Sequence, residues 1–248
     1  EEVLRALSKK VEWIQMDEPA LVLDLSEKEK QAFRATYERL TSAAGPARTL
    51  LATYFGSLGE NAALAGTSGH AAVHVDLARA AYPLQDVISH LGQKQLLSLG
   101  IVNGRNVWRV DAEAALSTIK EAIDALGPDR VMLGSSCSLL HTPVDLEAET
   151  GLDAEIRPWL AFATQKCGEL RMLADAAAGS GEQEALEANR AAWASRRSSP
   201  RVKDPKVRAR LDGVTDAMTR RQSPLADRKA VQQPRLNLPL LPTTTIGS

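Results

Sequence analysis

Short apolar runs recur along the first 150 residues, and each gives way at its C-terminal end to polar or small residues before a helical pattern begins. Apolar runs of this length, bounded by turn signals, are the mark of buried strands. The pattern predicts strands over 13–16, 49–56, 72–77 and 96–102, and a fifth that starts at Val131. Apolar positions spaced three and four apart predict helices over 3–10, 27–40 and 112–126, with a weaker, glycine-broken one over 58–64. Ser26 with Glu29 has the S-x-x-E spacing of a capping box, Asp111 is placed to cap the third helix, and Gly45-Pro46 and Gly127-Pro128 end segments. One βα unit is thus repeated, and the polar strand ends fall at one face. In parallel α/β proteins that face carries the chemistry.

Beyond residue 150 the pattern changes. Residues 152–178 read as one long helix or two, 183–197 as another with an apolar patch of Leu186, Ala192 and Trp193, and 207–221 as a third with Val207, Leu211, Val214 and Met218 in a narrow stripe. From Pro224 the chain is proline-rich and reads as an extended linker that closes in a strand-like Thr243-Thr244-Thr245-Ile246-Gly247-Ser248. The expected fold is α/β: about five βα units of an open sheet or a partial (β/α)8 barrel over 1–150, helices over 151–222, and a proline-rich linker with a strand-like start over 223–248. Five units are three short of a closed ring. Either the sheet is open or the missing strands precede Glu1.

Charge sharpens this picture. The formal net charge is −1, yet residues 1–189 carry 17 Lys+Arg against 27 Asp+Glu, while 190–221 carry ten against three. That basic stretch holds one aromatic, Trp193, so a helix face leaning on the acidic body is favoured over nucleic-acid binding. No apolar run approaches the roughly 20 residues of a membrane span, and no basic, apolar leader opens the chain. The chain starts inside a helical pattern without Met, which suggests a piece of a longer protein. Cys137 and Cys167 make neither a disulfide framework nor a metal motif, so a reducing, cytoplasmic setting is expected.

Three constellations could carry chemistry. Asp17 and Glu18 pair two carboxylates at a strand end, but neighbouring strand residues face opposite ways, and a carboxylate binding backbone N–H groups is the plainer reading. His74-x-Asp76 with His141-x-x-x-Asp145 could serve a metal-dependent barrel hydrolase, against the alternative of hydrogen-bonded structural histidines. Cys137 and His141 are the residue types of a thiol and its base, but nothing cationic in the local sequence lowers the thiol's pKa, and a buried inert cysteine is favoured.

Four strings occur in order: Trp13-Ile14-Gln15-Met16-Asp17-Glu18-Pro19-Ala20-Leu21, His74-Val75-Asp76-Leu77, Asn103-Gly104-Arg105-Asn106-Val107-Trp108-Arg109, and Ser135-Ser136-Cys137-Ser138-Leu139-Leu140-His141-Thr142-Pro143-Val144-Asp145-Leu146. With the closing Pro242-to-Ser248 string they resemble the cobalamin-independent methionine synthases, the 5-methyltetrahydropteroyltriglutamate–homocysteine methyltransferases, over essentially the whole chain. The resemblance implies two (β/α)8 barrels in a longer chain. Residues 1–248 would then be the later part of the first barrel, the inter-barrel connection and the first residues of the second.

It further implies a zinc ion and an acid histidine held beyond Ser248, and folate-tail contacts before Glu1, so that no catalytic or metal-binding residue carries over. Ile246, Gly247 and Ser248 match the family's homocysteine contact. The implied reaction moves a methyl group from 5-methyltetrahydropteroyltriglutamate to homocysteine, with zinc lowering the thiol's pKa. This portion would be inactive scaffold, and its open barrel edges invite self-association through 13–16. The rival is a self-sufficient metal-dependent hydrolase using Asp17, His74, Asp76 and His141.

Overall fold

The apolar runs form one parallel sheet of five strands: β1 (Trp13–Asp17), β2 (Arg48–Ala52), β3 (Ala72–Asp76), β4 (Leu96–Val102) and β5 (Val131–Ser135). Their spatial order is their chain order, and every neighbouring pair is parallel. A doubly wound sheet would reverse its order at a switch point. A sheet that always steps the same way is an arc of a (β/α) barrel, as expected. The computed structural model describes residues 1–79, 84–181 and 183–243, so Ile246, Gly247 and Ser248 lie outside the described residues.

Two compact units result, Glu1–Ser198 and Ser199–Ser248. In the first, α1 (Glu2–Leu7) precedes β1, α2 (Glu27–Ala43) follows it, and α3 (Ala62–Gly66), α4 (Leu84–Ile88) and α5 (Ala112–Leu126) follow β2, β3 and β4. Alternation decides which sheet face meets these helices. Leu51, Val73, Val75, Leu97 and Leu99 are fully buried and pack with Phe33 and Tyr37 of α2, Leu64 of α3, Val87 of α4 and Ile119 of α5. Each such side chain contributes about 1.5–3 kcal/mol on leaving water. The intervening residues face the other side and line the site described below.

Local signals set the element ends. Ser26 Oγ accepts from Glu29 N while Glu29 Oε2 accepts from Ser26 N at 2.7 Å, completing the capping box. Asp111 accepts from Ala114 N, and Gly127 ends α5 with φ +85°. β2 stops at Ala52, short of the predicted 56, because Phe55 takes φ +75°, which no strand accommodates.

The region after β5 departs from its prediction. Residues 152–162 are not helical apart from a single turn, Arg157–Trp159; helix returns only as α6 (Ala163–Ala177). Pro158 lies in that turn, and the next residues instead pair with the strip after β4: Arg109 N donates to Trp159 O at 2.8 Å and Ala161 N to Val107 O at 2.9 Å. α7 (Gln183–Ser198) docks on the same strip. Asn189 Nδ2 and Trp193 Nε1 both donate to Val110 O, and Arg190 and Arg197 pair with Glu113 and Asp111. This part of the basic stretch is therefore packed on the acidic body, which answers the expectation from charge.

The second unit contains α8 (Pro205–Asp212), α9 (Asp216–Thr219) and α10 (Leu225–Leu236). Gly213 breaks the predicted 207–221 helix, so its apolar stripe is split between segments. The extended linker expected from Pro224 is instead helical over α10. Pro224 occupies the N-cap, where no intrahelical N–H is required, and Pro234 falls in the last turn.

At the opposite end of β3 from the polar strand ends, His70 is buried. Its Nδ1 lies 3.0 Å from Ser68 Oγ, whose own proton goes to Ala65 O, so Nδ1 carries the ring proton; Nε2 has no partner. Burial pushes its pKa down to about 4, from an ordinary 6.5. The unfolded chain therefore takes up the proton first as pH falls, and the stability held above pH 6.5 is lost as pH drops toward 4. Denaturant unfolding at pH 7 and pH 5 is expected to differ by about 2 kcal/mol from this group alone. His70→Gln should shrink the difference by that amount, and an unchanged difference would refute the assignment.

Candidate functional site

On the sheet face turned away from the helices, a cavity of about 700 Å³ opens at the C-terminal strand ends. Gln15 and Asp17 of β1, Leu50 of β2, His74 of β3, Ser98 of β4 and Met132 of β5 line it, with Tyr54, Phe55 and His141 from the loops. A depression of about 690 Å³ between α1 and α2 is less informative, because Glu1 already neutralises its Arg5 and Arg39.

His74 is the inner-facing histidine of β3. Its Nδ1 lies 2.9 Å from Ser98 Oγ, and burial lowers its pKa, opposed by the Ser136 backbone and by Asp76 and Asp17, so the ring is neutral at pH 7. Gly100 and Gly134, paired in register across β4 and β5, make room for it. A Cβ on Gly100 would lie 2.6 Å from Val75 O and 3.0 Å from His74 Cε1.

Asp76, almost fully buried, is occupied by backbone. Oδ2 accepts from Phe55 N at 3.0 Å, and Oδ1 from Ala78 N at 3.0 Å and Arg79 N at 2.8 Å. It pins the left-handed Phe55 at the rim. Asp145 likewise binds Glu147 N and the Gln165 amide, which hold its carboxyl below the usual range.

Asp17 and Glu18 separate as alternation requires. Asp17 enters the cavity and accepts from Gln15 Nε2 at 2.8 Å and Tyr54 OH at 3.2 Å. Glu18 turns to the helix layer, accepting from Ala20 N and from Tyr37 OH at 2.9 Å. Cys137 is buried, and burial raises its thiol pKa, so it is the inert cysteine expected. His141 is exposed and packs edge-on against Phe55. Among the described residues no three His, Cys, Asp or Glu side chains come together as a metal site. The four residues of the hydrolase reading share one region but not one centre, and that reading is not favoured.

The sequence reading missed Tyr54 and Phe55, an aromatic pair at the end of β2 with Arg105 stacked 4.7 Å over Phe55. Aromatics are 4% of this chain, so two side by side at a strand end were the available signal.

Residues 1–127 match the family described as cobalamin-independent synthase, N-terminal domain. The chain belongs to this family. Similar to it is the 5-methyltetrahydropteroyltriglutamate–homocysteine methyltransferase of Caulobacter vibrioides, 48% identical over 100% of this chain and 32% of the relative. Proteins of the same name from Chelativorans sp. and Xylella fastidiosa are 47% and 48% identical over 96% and 100% of this chain. The chain spans about a third of the length of these relatives. The matched residues take in β1–β4 and α5 of the parallel arc.

Proposed function

We propose that this chain is the later part of the N-terminal barrel of a 5-methyltetrahydropteroyltriglutamate–homocysteine methyltransferase, with residues 199–248 forming the connection to a second, catalytic barrel. The observation that carries this is 44–48% identity over 96–100% of the chain to proteins of that name, joined to a sheet that never reverses its order. In this reading the Glu1–Ser198 unit is scaffold, and its own groups are spent on structure. Asp76, Asp145 and Glu18 hold backbone, and His74 is neutral and tied to Ser98.

Zinc does not fit the described residues, which supply no suitable ligand cluster; in this proposal it is held elsewhere in the longer protein. Ile246, Gly247 and Ser248 would meet homocysteine only with the rest of that second barrel. The proposal includes a cytoplasmic setting, supported by two cysteines that are both free thiols. Among the described residues no helix is long and apolar enough to cross a membrane.

Two assays test the proposal. The 248-residue chain alone should show no methyl transfer and no stoichiometric zinc. Exchanged for the matching segment of the Caulobacter protein, it should yield a chimaera within about tenfold of the parent's kcat. A folded chimaera that has lost activity would overturn the reading, as would turnover by the chain alone.

A further inference from the structure

Two loops that leave the sheet side by side meet at one peptide group. After β4 the chain runs Asn103-Gly104-Arg105-Asn106, and after β5 it runs Ser136-Cys137-Ser138. Gly104 is buried, and its N–H donates to Ser136 Oγ at 3.1 Å. Ser136 is only 2% exposed, and its own N–H donates to Val102 O at 2.8 Å, which anchors the accepting residue to the end of β4.

This turn uses both members of the chain's single Asn-Gly pair. Asn103 Oδ1 accepts from Arg105 N at 2.8 Å, the side-chain-to-backbone bond of an Asx turn. A Cβ on Gly104 would lie 2.7 Å from Cys137 O and 3.1 Å from Cys137 Sγ, so no larger residue fits. The fold thereby places at a strand end the dipeptide whose side-chain amide is chemically least durable. In a free chain the unhindered glycine nitrogen attacks the asparagine Cγ: an N–Cγ bond forms, the Cγ–Nδ2 bond breaks, and ammonia leaves with the proton that the glycine nitrogen gives up. Water then opens the succinimide at either carbonyl, which leaves aspartate or isoaspartate. Attack begins when hydroxide takes the glycine N–H proton. Here that proton is held by a buried hydroxyl oxygen, and Cys137 packed against Gly104 leaves the peptide little room to turn toward Asn103 Cγ.

We propose that Asn103 is a site of spontaneous deamidation that the Ser136 hydroxyl suppresses, so that the amide is lost only when the loops after β4 and β5 part. The reaction then prevents its own reversal. Isoaspartate carries the chain through Cγ and adds one backbone atom directly before Gly104, which no longer fits beneath Cys137. The inference does not rest on the methyl-transfer reading, and neither result bears on the other.

The test follows Asn103 by peptide mass spectrometry, and the Gly104 amide by hydrogen exchange, in the 248-residue chain at mildly alkaline pH. The folded chain is expected to lose the Asn103 amide about a hundredfold more slowly than the chain unfolded in urea, because both reactions then wait on the same local opening. Ser136→Ala removes the acceptor of the Gly104 N–H, and should speed deamidation and Gly104 exchange together, each by about tenfold. Equal rates of deamidation in the folded and unfolded chain would overturn the proposal. So would a folded Ser136→Ala variant that deamidates no faster, whether or not its Gly104 amide exchanges faster, since the Asx turn or the packing of Cys137 would then be the protecting element. If Ser136→Ala fails to fold, the unaltered chain decides: in urea below the unfolding transition the two rates should rise in proportion, and exchange that quickens without deamidation refutes the assignment.

Discussion

Lys166→Met is expected to destabilise the Glu1–Ser198 unit by about 4 kcal/mol, although methionine matches the aliphatic stem it replaces. Lys166 is completely buried, and its ammonium donates to Trp108 O at 3.0 Å. One turn on, Glu169 is also buried; Oε1 accepts from Val110 N at 2.9 Å, and Oε2 has no partner. Burial pushes the lysine pKa down and the glutamate pKa up, and in each case the other member's charge opposes the shift. Removing the lysine strands Trp108 O and leaves only the Val110 N–H bond and the Arg109 charge to offset the desolvation of the carboxylate. Glu169→Gln keeps an acceptor for Val110 N while removing that charge. The double variant Lys166→Met/Glu169→Gln should therefore recover about half of the loss. Urea unfolding of the four proteins at pH 7 gives the coupling directly, and strictly additive losses would show that the two charges do not act as a pair.

That buried pair also marks where sequence reading stops. Phe162, Lys166, Glu169 and Leu173 follow the i, i+4, i+7, i+11 spacing of one helix face, and all four are buried. A pattern judged by apolar residues alone assigns the two charged positions to solvent. By contrast, the five strands were legible because each is apolar on its helix-facing side and polar or small at its end, and α2 and α5 because Ser26 and Asp111 are unambiguous caps. The helices of 152–178 and 207–221 were overextended where Pro158 and Gly213 intervene, and α10 was missed because prolines at its two ends were read as a property of the whole segment. For the site, alternation separated Asp17 from Glu18 correctly, but spacing could not show that the oxygens of Asp76 are consumed by a loop from another strand. That is a tertiary fact. It depends on Phe55 turning left-handed 21 residues earlier.

Asp76→Ala is expected to cost about 4 kcal/mol, since three backbone N–H groups lose a charged acceptor at once. The effect should reach the cavity as well as the core. Phe55 holds φ +75°, a conformation that costs an L-residue roughly 1–2 kcal/mol and is held here by the bond from its N–H to Asp76 Oδ2. Without that bond the 53–56 turn can relax, and Tyr54, whose hydroxyl reaches Asp17, moves with it. Asp76→Asn separates the two halves of the interaction. Its amide oxygen can keep Ala78 N and Arg79 N, while its NH₂ then confronts the Phe55 N–H donor to donor, so a loss of about 2 kcal/mol is expected. Amide hydrogen exchange distinguishes the positions. In Asp76→Asn the Ala78 and Arg79 amides should stay protected while Phe55 exchanges at least tenfold faster than in the unaltered chain, and in Asp76→Ala all three should lose protection. Unchanged protection of Phe55 in both variants would mean that the turn is held by its own packing, and the carboxylate would lose its assigned role in shaping the rim.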